Sequence, residues 1–144
     1  MADYFIHFSC LFDVGSAINA VEAEAIRCAH AKTLDEVEGV HLGFDMETDA
    51  ASGPGALWIS GDGDGEPEHV AAFVLACAEA FGLTGRWGFC WALTCSKPRL
   101  HSFGGGAQVI DLGNRTTLAW TDCEQWLKAQ VDLAADPGID VRPG

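Results

Sequence analysis

Positive charge is what this sequence has least of. Eight Lys and Arg stand against twenty-one Asp and Glu, a formal net charge of −13. A field of that sign repels phosphates and argues against direct binding of nucleic acid. No apolar run approaches the length that spans a bilayer, so no membrane partner is expected. Met1-Ala2-Asp3-Tyr4 has neither the basic start nor the apolar core of a secretory leader. No two of the cysteines Cys10, Cys28, Cys77, Cys90, Cys95 and Cys123 form a C-x-x-C pair. They sit mostly inside apolar runs, where Cys behaves as a small buried hydrophobe. These features predict a reduced, cytoplasmic protein. A glycine-flanked nucleophile elbow, a standard zinc-ligand spacing and a P-loop are all missing. No cofactor and no metal is expected.

What the chain does have is apolar mass. A hydrophobic fraction of 49% is far above that of an acidic disordered tail. A chain of 144 residues buries about two-thirds of its unfolded surface, so the charge decorates a core. One domain is expected over residues 1–135, with residues 136–144 as a flexible tail. The charge is unevenly shared. Residues 1–80 hold fifteen acids and two bases, whereas residues 81–144 hold six of each.

Hydrophobic periodicity sets the elements. Residues 4–12 alternate with apolar side chains on both faces, as in a central strand. Ser16 then caps a helix over residues 17–32, with Ile18, Val21, Ala25 and Cys28 as its buried stripe. Residues 34–39 read as an acidic connector. Residues 40–47 predict a half-buried strand, with Val40, Leu42, Phe44 and Met46 inward and Asp45 and Glu47 outward. A loop leads to a short strand over residues 56–60 that carries Trp58. After a flexible glycine–aspartate segment, Pro67 opens the clearest helix. Val70, Phe73, Val74, Cys77 and Phe81 form its stripe, and Gly82 ends it. Residues 86–94 alternate large aromatics with small residues. Residues 95–106 read as a long connection, and residues 107–112 and 116–120 as a hairpin around Gly113-Asn114. Thr121-x-x-Glu124 is a capping box for a last helix bearing Trp126, Leu127 and Val131.

The order β-α-β-β-α-β, then hairpin and helix, predicts an α+β fold. Its first six elements match a ferredoxin-like antiparallel sheet with two helices on one face. The other face needs a cover, from the hairpin and last helix or from a second copy in a homodimer.

Chemistry-bearing clusters are few. The Asp62–Glu66 segment lacks the further ligands of a calcium loop, and reads as a lead-in to a helix. Cys95 with Ser96 and His101 is the one local nucleophile–base candidate. Lys97, Arg99, His101 and Phe103 precede Gly104, Gly105 and Gly106 and gather the only basic cluster. They are the candidate site for a small anion or nucleotide, under an alternative reading as an oligomeric ligand-binding domain. Asp45, Glu47, Asp49, Asp62, Asp64, Glu66 and Glu68 are the candidate contacts for a basic partner. Such carboxylates would occupy lysines and arginines meant for phosphates.

Two stretches carry a resemblance. One is Tyr4-Phe-Ile-His-Phe-Ser-Cys-Leu-Phe-Asp-Val-Gly15. The other is Phe81-Gly-Leu-Thr-Gly-Arg-Trp-Gly-Phe-Cys-Trp-Ala-Leu-Thr-Cys-Ser-Lys-Pro-Arg-Leu-His-Ser-Phe-Gly-Gly-Gly-Ala107. With them the chain resembles small uncharacterised acidic proteins of bacterial mobile elements, plasmids and phages. The resemblance spans most of the chain and assigns no catalytic residue. It implies an accessory role, blocking host nucleases or other nucleic-acid-handling complexes as anti-CRISPR and anti-restriction proteins do. The expectation is therefore a non-enzymatic acidic protein that binds and inhibits a basic complex.

Overall fold

A computed structural model describes residues 3–133. The tail expected at residues 136–144 lies outside them. In chain order the elements are β1 (Tyr4–Asp13), α1 (Ala17–Glu38), β2 (Asp45–Thr48), β3 (Ala56–Gly63) and α2 (Pro67–Phe81). Then come β4 (Arg86–Cys95), β5 (Gly104–Asp111), β6 (Thr116–Asp122) and α3 (Cys123–Leu133). All six strands join one antiparallel sheet in the order β2-β3-β1-β4-β5-β6. Over the described residues the fold is α+β, a six-stranded sheet with three helices.

α2 forms as its sequence dictates. Pro67 sits in its first turn, and Gly82 ends it in the left-handed region at φ 63°. Val70, Phe73, Val74 and Cys77 are fully buried. Phe73 is the hub, with ring centroids 6.4 Å from Phe12 and 5.3 Å from Phe44. Phe89 and the partly buried Trp87 and Trp91 complete this aromatic core from β4.

α1 departs from its expected pattern. Ser16 caps it, accepting from the Asn19 amide, but the helix runs on through the supposed connector to Glu38. It buries Ala20 and Ala23, while Ile18 and Val21 are each 73% exposed. Both faces of α1 are apolar, and the face of small residues is the one that packs inward.

β2 is shorter than residues 40–47. The backbone of Gly43 is held by α2 instead of by β3. Its carbonyl accepts from the Glu66 amide at 2.8 Å, and its amide donates to His69 Nδ1 at 2.9 Å. A Cβ at Gly43 would collide with Glu66, so this close passage requires glycine. Phe44 still packs inward, but Val40 is exposed.

The glycines of residues 104–106 are not a loop. They form the start of β5 and pair with Leu93, Ala92 and Trp91. β3 likewise extends through Asp62, which was expected in a flexible segment. β6 reaches Asp122, whose Oδ1 accepts the Gln125 amide at 2.7 Å, so the cap of α3 is Asp122 and not Thr121. α3 buries no residue, and its expected stripe of Trp126, Leu127 and Val131 stays more than half exposed.

All six cysteines are free thiols. Burial pushes the Cys77 thiol up to about 12 and that of Cys10 up to about 11, from an ordinary value of 9.0. Cys28, Cys90 and Cys123 are exposed. A disulfide reagent at mildly alkaline pH should therefore label those three quickly, and Cys10 and Cys77 only on unfolding. Rapid labelling of Cys77 in the native protein would show that the core is open. Folded Cys77 holds its proton where the unfolded thiol would lose it. Its contribution to stability is intact below pH 9.0 and is lost as pH rises toward about 12.

Candidate functional site

Strand alternation assigns the two sheet faces. Phe8 and Phe12 of β1 and Leu57 and Ile59 of β3 point to the helices and are buried. The alternate residues point away: Phe5, His7, Ser9 and Leu11 of β1, and Trp58, Ser60 and Asp62 of β3. Asp45 and Glu47 of β2 lie on this outward side, paired with Ser60 and Trp58. The β5–β6 hairpin extends the sheet beyond β4 and does not cover this face.

Trp58 is the centre of the patch. It is 41% exposed, and its indole N–H donates to Ser9 Oγ at 2.8 Å. That bond fixes the ring on the sheet. Leu11 of β1, 48% exposed, pairs with Trp58 on one side, and Glu47 of β2 pairs with Trp58 on the other. A depression of about 490 Å³ opens along His7, Ser9, Trp58, Ser60 and Asp62. The Asp62 side chain is almost wholly in solvent and accepts from His7 Nδ1 at 3.0 Å. On the other side of that imidazole, Nε2 lies 3.1 Å from Thr94 Oγ1.

The seven carboxylates singled out in the sequence do not form one surface. Asp45, Glu47 and Asp62 share the outward sheet face. Glu66 and Glu68 lie at the start of α2, lining a separate cavity of about 590 Å³ with Ile6, Trp91 and Trp120. Asp49 accepts from Ser52 Oγ at 2.8 Å, and exposed Asp64 meets Ile6 in an isolated bridge.

The basic cluster is an exposed turn between β4 and β5. Ser102, fully buried, closes it by accepting from the Arg99 amide at 3.0 Å. Lys97, Arg99 and Phe103 are exposed. His101 Nδ1 lies 2.7 Å from Glu124 Oε1 of α3, so a carboxylate sits against this turn. Gly104, Gly105 and Gly106 run as extended strand beside this turn, and do not curl into an anion cradle. Among the described residues no three His, Cys, Asp or Glu side chains converge as metal ligands.

No known protein family, no curated protein and no solved structure matches this chain. Among the described residues no helix is long and apolar enough to cross a membrane.

Sequence reasoning missed the outward row of β3 and the role of His7. Asp62 fell in a segment read as flexible. The partners of His7 lie 55 and 87 positions away, so no local pattern marks them.

Proposed function

We propose that this protein is an interaction module that docks its outward sheet face on a basic surface of a nucleic-acid-handling complex. The observation that carries this reading is Trp58, exposed, fixed by Ser9 and paired with Glu47, with Asp62 farther along the same outward row. A rigid aromatic anchor beside carboxylates is the chemistry that receives arginine, through ring stacking and charge-assisted hydrogen bonds. Occupied in this way, arginines and lysines are withheld from phosphates. The net charge of −13 supports fast, steered association with such a partner. Inhibition in the manner of an anti-CRISPR or anti-restriction protein is the proposed outcome, supported by that charge and by the sequence resemblance. A cytoplasmic setting is supported by the free thiols. A ferredoxin-like core is supported by the antiparallel order β2-β3-β1-β4, with α1 and α2 as the intervening helices.

The test is displacement of a labelled DNA duplex from basic nucleases and CRISPR effectors, followed by fluorescence anisotropy across a salt series. Displacement is expected to weaken steeply with salt. The triple variant Asp45→Asn, Glu47→Gln, Asp62→Asn should lose about 10- to 100-fold in potency. Potency that is unchanged by salt, or by the triple variant, would sink the reading.

A further inference from the structure

The outward sheet face aligns three side chains from neighbouring strands. Asp62 comes from β3, His7 from β1 and Thr94 from β4. Asp62 Oδ1 lies 3.0 Å from His7 Nδ1, and His7 Nε2 lies 3.1 Å from Thr94 Oγ1. A carboxylate only accepts, so Asp62 selects the imidazole tautomer with its hydrogen on Nδ1. The lone pair on Nε2 then accepts from the Thr94 hydroxyl. A hydroxyl, a base beside it and a third group orienting that base make an activated alcohol, whatever fold carries them. The row is fixed by its backbone. His7 pairs directly with Asp62 on one side and with Ala92, two residues before Thr94, on the other. The depression of about 490 Å³ that runs toward Trp58 is lined by His7 and Asp62, so it gives solvent and reactants access to the base and not to Thr94 itself.

We propose that Thr94 is a nucleophile that accepts an acyl group from activated carboxylic esters, with His7 as its base and Asp62 as the positioning residue. In the step, Thr94 Oγ1 bonds to the ester carbonyl carbon and its proton passes to His7 Nε2. The bond from that carbon to the leaving alcohol then breaks, and the alcohol departs with the proton held by His7. Thr94 is left as an ester, one per chain. This site does not rest on the docking role, and an inert Thr94 would leave that role untouched.

The experiment is incubation of the full chain with 4-nitrophenyl acetate, with release of 4-nitrophenolate followed by absorbance. Acetylated residues are mapped by peptide mass spectrometry, so that lysine and cysteine products are counted apart. An acetyl ester on Thr94 is expected. Its rate should fall about 100-fold or more in His7→Gln. Thr94→Ser should keep the reaction and Thr94→Val should abolish it, both with an unchanged circular dichroism spectrum. Asp62→Asn should move the pH profile of acetylation, which a purely structural contact would not do. Unmodified Thr94 in the folded wild-type chain overturns the proposal. So does an equal rate in folded His7→Gln.

Discussion

Phe73→Ala is expected to cost about 3–5 kcal/mol, a large share of the 5–15 kcal/mol that holds a domain together. Phe73 is fully buried on α2 and touches the aromatic rings of Phe12 on β1 and Phe44 ahead of β2. Its ring also lies nearly perpendicular to that of His30 of α1, with centroids 6.5 Å apart. One side chain therefore ties both inner helices to the sheet. Truncation removes the transfer energy of the ring and leaves a cavity that α1 and α2 can only partly close. Urea unfolding monitored by circular dichroism measures the loss. A change below about 1 kcal/mol would mean that Phe73 does not fill the core as described.

Gly105→Ala is the second large effect, and it has a built-in control. Gly105 and Gly53 share a φ of 145°, a region nearly closed to other residues. A Cβ at Gly53 would meet open space, whereas one at Gly105 would overlap the backbone carbonyl of Trp91 across the β4–β5 ladder. Backbone cannot step aside as a flexible side chain can. Gly53→Ala should cost only the strain, about 1–3 kcal/mol. Gly105→Ala should cost that and about 1–3 kcal/mol more for the collision. Equal losses in the two variants, from parallel urea titrations, would remove the steric argument.

The glycine run also shows where sequence reading stops. Glycine is local punctuation, and three in a row at the end of a stretch that contains Pro98 read as a long connection. What placed them in a strand is remote. The indole of Trp91 lies over Gly106, and any side chain there would strike it. α2 was legible because its signals are local: Pro67 at the start, Gly82 at the end, one apolar stripe between. α1 was not. Its two faces are both apolar, and packing chose Ala20 and Ala23 over Ile18 and Val21. The Glu47–Trp58 pairing at the docking patch was half visible: Glu47 was assigned to an outward row, but Trp58 was placed only on a short strand with no face. The Asp62–His7–Thr94 line was invisible, because its three members meet only when β3, β1 and β4 lie side by side.

The grip of α2 on Gly43 has one more consequence. By taking the backbone groups of that residue, Glu66 and His69 keep the edge strand β2 down to four residues, two of them acidic. The unpaired N–H and C=O groups of a sheet edge can add strands from neighbouring chains and grow into aggregates. A short, negatively charged margin is a poor template for such growth. The contact that shortens β2 thus guards the colloidal behaviour of a protein that keeps Trp58 and Leu11 in the open.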